Sequence, residues 1–179
     1  MMLIGIGHED GVGKSTAAKM LLEMLPGHRI SSFASAIKTI AADLWGWAGV
    51  REESFYESVA TRYLKDVRLP LIGKTPREVW IEVGESGRRV DPSTWYRRAV
   101  GENVVIPDVR KRNEADYVRA SGGYLLLLER DGVESEGNRV SELKGFCEWD
   151  WRVQNNGSLA DLRQQLETIV LGLEVCEVE

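Results

Sequence analysis

The sequence predicts an α/β domain in three layers, with a five-stranded, mostly parallel sheet flanked by helices. Short apolar runs alternate along most of the chain with amphipathic stretches of helix length. Strands separated by that much chain pair in parallel through crossover connections. The length of 179 residues suffices for one core and falls short of two domains of ordinary size.

Residues 2–6 read as a buried strand, and 16–25 as a helix with Ala17, Met20, Leu21, Met24 and Leu25 on one face. Pro26 and Gly27 stop that helix. A second short strand is expected at 29–33, followed by a helix over 34–47 whose apolar face carries Ile37, Ile40, Ala41, Leu44 and Trp45. Between 50 and 74 the periodicity is poor, and only scattered helical turns are expected. Thr75 and Pro76 read as a capped helix start with Glu78 in the first turn, the helix running to about Arg89. A helix over 93–100, a third strand over 103–107 and a helix over 113–120 follow. Strands over 123–128 and 149–153 come next, and a last helix, capped by Ser158, runs to about Leu171. Residues 50–101 and 130–147 stand outside the alternation and project from the sheet as substrate and lid segments, leaving 1–49, 102–129 and 148–172 as the core.

Hydrophobic residues at 43% and charged residues at 28% exclude disordered, collagen-like and membrane-spanning classes. The longest aliphatic run, 125–128, is far below a membrane span, and the apolar start at 1–6 lacks the basic leader of a signal peptide. Cys147 and Cys176 form neither a disulfide framework nor a metal cluster at their spacing, which points to a reducing, cytoplasmic compartment. The net charge of −5 argues against a protein that coats nucleic acid. That charge is unevenly spread: residues 61–119 hold 13 of the 23 basic residues against nine acids, so this third is +4 and the remainder −9.

The strongest chemical signal runs from Gly7 to Thr16, Gly-His-Glu-Asp-Gly-Val-Gly-Lys-Ser-Thr, between the first strand and the first helix. Glycines there let consecutive backbone N–H groups wrap a phosphate, and the helix N-terminus adds its partial positive charge. Lys14 then reaches the β and γ oxygens of a nucleoside triphosphate, and Ser15 can hold Mg²⁺. His8 stands where the usual pattern has a glycine. Asp108 ends the third strand, where ligands collect in open α/β sheets, and Arg110 follows two residues later. An acid there can orient an acceptor group or a metal-bound water; it can also cap the next helix, paired to Arg110 or Arg112. A basic middle in an acidic chain suits transfer between two phosphorylated molecules, because guanidinium groups gather phosphates in bidentate contacts. Adjacent helical arginines such as Arg88 and Arg89 point about 100° apart, so one of each pair enters such a site. Arg62, Arg68 and Arg119 read as solvated helix faces, whereas Trp95, beside Arg97 and Arg98, is the aromatic candidate for the site.

In order and spacing, these residues resemble the phage-type deoxynucleoside monophosphate kinases over nearly the whole length. The segment 32–38, Ser-Phe-Ala-Ser-Ala-Ile-Lys, is similar to that family's Ser-Phe-Ala-Asp-Pro-Leu-Lys, with Ser35 and Ala36 in place of Asp-Pro. Thr75-Pro76-Arg77-Glu78, Gly84 to Arg88 and Asp91 to Trp95 resemble its middle helices, and Asp108-Val109-Arg110 with Asn113-Glu114-Ala115 its Asp-Val-Arg-x-x-Asn-Glu-Ala signature. Ser141-Glu142 resembles a pair in the lid, where Arg139 stands in place of a frequent His, and 155–159 an Asn-x-Gly-Ser-Leu turn near the adenine. The resemblance implies an adenylate-kinase-like P-loop fold that moves the γ-phosphoryl of ATP to a deoxynucleoside monophosphate, with Mg²⁺. By the same resemblance Gly11, Val12, Gly13, Lys14, Ser15, Thr16 and Asn156 serve ATP, while Arg77, Arg88, Asp108, Arg110 and Asn113 serve the monophosphate or the transition state. Ser35, Lys38 and Trp95 join the acceptor side, and Arg130 or Arg139 closes from the lid. The expected partner is a small nucleotide rather than a polymer or a membrane, in the cytoplasm, or in a host's if the chain is phage-encoded; a homodimer stays open. Two other readings also stay open: a kinase for another phosphorylated small molecule such as a coenzyme precursor, and a nucleotide-binding regulatory protein without turnover.

Overall fold

Apolar strand runs with no polar alternation demand burial on both faces, and the structure provides it. The computed structural model describes residues 2–7, 9–133 and 142–176, with side chains to Leu173. Five strands and six α-helices lie among the described residues: β1 Leu3–Gly7, α1 Lys14–Met24, β2 Arg29–Ile30, α2 Ser35–Trp45, α3 Pro76–Val90, α4 Thr94–Ala99, β3 Val104–Val109, α5 Arg112–Ala120, β4 Tyr124–Glu129, β5 Trp151–Gln154 and α6 Leu159–Cys176. Three short 3-10 turns, Gly46–Ala48, Glu53–Tyr56 and Arg62–Asp66, interrupt the irregular stretch between α2 and α3. The sheet order is β2-β3-β1-β4-β5 and every neighbouring pair is parallel.

The chain divides into two compact units, one of Met1–Ser31 with Val100–Glu179 and one of Ser32–Ala99. The first holds the sheet. On one face Ile4 and Ile6 of β1, Val105 of β3, Leu126 and Leu128 of β4 and Val153 of β5 pack against Ala17 and Leu21 of α1 and Leu162 and Leu166 of α6. On the other, Val118 of α5 meets the sheet beside Gly5, together with Val109 and Leu125. Helix, sheet and helix are thus the three expected layers. The final helix outruns its expected end at Leu171 because Leu173 is still buried in this core.

The second unit begins earlier than the substrate segment expected from residue 50, since it takes in all of α2. The reason is packing: Ile37 of α2 lies 3.2 Å from the Cβ position of Gly84 in α3, and Ala41 shares a cluster with Val50 and Val79. Helix α3 starts as its sequence requires. Thr75 Oγ1 accepts from the Glu78 N–H at 3.1 Å, Glu78 Oε2 accepts from the Thr75 N–H at 2.8 Å, and Pro76 occupies the first turn. The Thr75 N–H bond holds the Glu78 carboxyl below its ordinary pKa. No helix among the described residues is long and apolar enough to cross a membrane. His8, Arg139 and Ser141 lie outside the described residues, as does the rest of 134–141 in the expected lid.

Candidate active site

The loop between β1 and α1 turns through left-handed glycines, Gly11 at φ 82° and Gly13 at φ 103°. A side chain at Gly13 would meet Asn155 Nδ2 at 2.6 Å, so the position is closed to other residues by backbone and by space. Lys14 is the first residue of α1 and only 7% exposed, and its Nζ donates to the Glu9 carbonyl. Burial lowers its pKa to about 8, and the Arg110 charge adds to that; Asp10, Asp108 and Glu9 pull in the opposite direction. Lys14 is thus a desolvated cation on which the charges of three carboxylates act. Ser15 and Thr16 are exposed on the same first turn, at the positive end of the helix.

Asn155 holds the loop from the far side. Its Nδ2 donates to the Val12 carbonyl at 2.8 Å, and its own N–H to the Glu129 carbonyl at 2.8 Å. Asn156, the residue expected at ATP, accepts through Oδ1 from the Asp131 N–H at 2.9 Å, tying the turn before α6 to the chain just after β4. A cavity of about 200 Å³ opens beside the loop, lined by Glu9, Val12, Leu128, Arg130, Asp131 and Gln154 among others. Of the expected site residues it holds Val12 and Arg130.

At the end of β3 the register slips: Gly5 pairs with Ile106 but Gly7 with Val109, so β3 carries one extra residue. Pro107, which has no N–H to give a central strand, sits in that bulge. Asp108 follows directly, close enough to Lys14 to raise its pKa. Arg110 Nη2 donates to Asp10 Oδ1 at 2.9 Å, the Arg110 N–H to Glu114 Oε2 at 2.8 Å, and the Arg110 carbonyl accepts from the Glu142 N–H at 2.8 Å. Glu114 is 3% exposed and also accepts from the Lys111 N–H at 3.0 Å, so the capping of α5 considered for Asp108 belongs to Glu114. Asn113 is exposed on the first turn of α5.

In the unit Ser32–Ala99 the expected acceptor residues have acidic neighbours. Arg77 grips Asp66 through two nitrogens at 2.5 and 3.2 Å, and Arg88 bonds Glu85 at 2.8 Å. The Arg88–Arg89 doublet splits as helix geometry requires: the Arg88 side chain is 19% exposed, whereas Arg89 is exposed and bonds Ser86. Ser35 Oγ donates to Glu53 Oε2 at 2.8 Å, and Lys38 pairs with the same carboxylate while lying over the Trp80 ring. Trp95 departs from expectation. It is 4% exposed, its indole N–H donates to the Gly84 carbonyl at 2.9 Å, and its ring fills the space a side chain at Gly87 would need. It packs in the core of its unit and offers no stacking face. A separate concavity of about 580 Å³, with Asp43, Arg51, Glu52 and Phe55 on its walls, contains none of the residues the sequence singled out.

Sequence reasoning missed Glu9, Asp10, Asn155, Glu114 and Glu53. Glu9 and Asp10 both carried a signal, as carboxylates in a phosphate loop.

A parallel sheet of this order, with a left-handed glycine loop running into a helix headed by a buried lysine, defines the P-loop class of α/β proteins. No family model matches the sequence. Over 192 residues the chain is 31% identical to a protein of Acanthamoeba polyphaga mimivirus named "Putative deoxynucleotide monophosphate kinase", covering 95% of this chain and 96% of the viral one. The chain belongs to the deoxynucleotide monophosphate kinase family. Solved structures that resemble it include shikimate kinase from Aquifex aeolicus, 16% identical over 99% of both chains at a TM-score of 0.42. TT1252 from Thermus thermophilus is 20% identical over 96% of this chain and 97% of that one, at 0.48. At these scores neither likeness bears on function.

Proposed function

We propose that this protein transfers the γ-phosphoryl group of ATP to a deoxynucleoside monophosphate, releasing ADP and the deoxynucleoside diphosphate, in the cytoplasm. The observation that carries this reading is the relationship to the mimivirus kinase over nearly the whole of both chains. An oxygen of the acceptor phosphate bonds to the γ-phosphorus as the bond to the β–γ bridging oxygen breaks. The acceptor is already an anion, so the work is positioning and charge stabilisation rather than proton removal.

In this reading the backbone of Gly11, Val12, Gly13, Lys14, Ser15 and Thr16 cradles the ATP phosphates, and Lys14 exchanges its bond to Glu9 for the β and γ oxygens. Arg130, on the wall of the 200 Å³ cavity, closes from the lid on the transferring group, and Asn156 serves ATP near the base. Asp108 and Arg110 stand at the transferring group, with Asn113 on the turn that follows. Ser35, Lys38, Arg77 and Arg88 serve the acceptor. The ion pairs of Arg77 and Arg88 each have a partner at least half exposed, and such pairs are weak enough for a phosphate to displace.

Among the described residues no group of three or more His, Cys, Asp or Glu could hold a metal ion by itself. Mg²⁺ suits such a site, because it takes one or two protein oxygens and completes its shell with phosphate and water. Ser15, exposed on the first turn of α1, and Asp108 at the strand end are the residues that would hold it. When bound, Mg²⁺ neutralises the β and γ oxygens.

ADP release with a panel of deoxynucleoside monophosphates, ribonucleoside monophosphates and phosphorylated coenzyme precursors tests the proposal. Turnover of at least one deoxynucleoside monophosphate is expected. ADP formation with none of them overturns it, and preference for a coenzyme precursor reassigns the acceptor.

A further inference from the structure

We propose that Asp10 is a positioning residue that aims the Arg110 guanidinium at the transferring phosphoryl group. The inference rests on the function proposed above.

An acid is an unexpected choice in a loop built to wrap phosphate, since its charge repels the ligand. Here that charge is matched: Asp10 Oδ1 accepts from Arg110 Nη2 at 2.9 Å, across a separation of 100 residues in the chain. The backbone of Arg110 is pinned at both ends, its N–H by Glu114 and its carbonyl by the Glu142 N–H. With the backbone held, the direction of the guanidinium depends on its own torsions, and the contact to Asp10 restrains those. Neither side chain is deeply buried, at 32% exposure for Arg110 and 42% for Asp10, so the pair lies open to a ligand. A guanidinium can hold a carboxylate on one edge and phosphate oxygens on another. Asp108 and Lys14 share this cluster, so the aimed cation stands where the loop meets the strand end.

Asp10→Asn keeps the shape and removes the charge. Its kcat is expected to fall about tenfold to a hundredfold, the scale on which misplacing a catalytic group acts, with the KM for ATP within a few-fold of wild type. In an Arg110→Ala background the same substitution is expected to cost nothing further, because its effect runs through that arginine. Asp10→Glu retains the charge and is expected to recover most of the rate. Wild-type kcat in Asp10→Asn, an equal loss with and without Arg110, or a rise confined to the KM for ATP each overturns the inference. A loss in Asp10→Glu as deep as that of Arg110→Ala does the same. Melting curves of each variant separate misfolding from misplacement, and an Asp10→Asn protein that does not fold leaves the decision to Asp10→Glu. A wild-type protein that turns over no deoxynucleoside monophosphate overturns the proposed function, and this inference with it.

Discussion

In the unit of Met1–Ser31 and Val100–Glu179 charged pairs join distant parts of the chain, among them Arg110 to Asp10, Lys111 to Glu142, Arg119 to Asp150 and Arg163 to Glu23, beside the local pair of Arg112 and Asp116. In the unit Ser32–Ala99 they stay local, Lys38 with Glu53, Lys74 with Glu82, Arg77 with Asp66 and Arg88 with Glu85. The first unit sets one of these pairs, Arg110 with Asp10, beside the buried Lys14, whose pKa Arg110 lowers and Asp10 raises. The second leaves at least one partner of most pairs half exposed, where an ion pair contributes at most about 1 kcal/mol. Within the basic middle third, Lys74, Arg77 and Arg88 therefore rest on carboxylates open to water, while the loop unit holds a buried cation whose pKa is set by its surroundings.

The largest test of this contrast is Lys14→Ala, for which phosphoryl transfer is expected to fall about a thousandfold, as read by ADP release. A variant keeping a tenth of the activity breaks the contrast at its centre. Next comes the core of the second unit: Trp95→Ala is expected to cost about 3–5 kcal/mol in urea unfolding, because a buried ring and its bond to Gly84 are both lost. An unchanged midpoint shows that ion pairs rather than aromatic packing hold that unit.

The third test uses pH. Folded Lys14 gives up its proton near pH 8, whereas an unfolded lysine keeps it to about 10.5. Between those values the unfolded chain binds more protons, so stability is expected to rise with pH there. The gain is on the order of 3 kcal/mol by pH 10.5, taken as the difference between wild type and Lys14→Met in denaturant unfolding. A flat difference breaks the assignment of a costly buried charge. The smallest effect is expected from Arg77→Ala: a stability change below about 1 kcal/mol, with the acceptor KM up about tenfold from the lost charge-assisted bonds. A large stability loss with unchanged KM makes the Arg77–Asp66 pair structural and moves the acceptor elsewhere.

Elements whose signals are local were legible in the sequence. Thr75, Pro76 and Glu78 announce the start of α3 because a capping box is complete within four residues. The glycines before Lys14 announce the loop because left-handed backbone has few other occupants. Where a partner comes from another part of the fold, the reading failed or stopped short. Trp95 beside two arginines resembles a ligand contact, yet its ring lies on Gly87 and its N–H on the Gly84 carbonyl, both in the preceding helix of the same unit. Between two adjacent asparagines, nothing in the sequence marks Asn155 as the one that reaches Val12 and Asn156 as the one that takes the Asp131 N–H. The sequence groups helix α2 with the sheet because its apolar stripe shows that it packs, not what it packs against; Gly84 and Val79 supply that answer.

By itself, then, the sequence determined the order of strands and helices, the parallel class of the sheet and the position of the phosphate loop. All of these follow from periodicity and from backbone conformations that only certain residues tolerate. The tertiary structure decided which face of the loop is braced by Asn155, that Lys14 is buried where the charges of Glu9, Asp10 and Asp108 act on it, and that Arg110 meets Asp10 across 100 residues. Those pairings depend on distance in space and on the loss of water around the charges, and neither has a period along the chain.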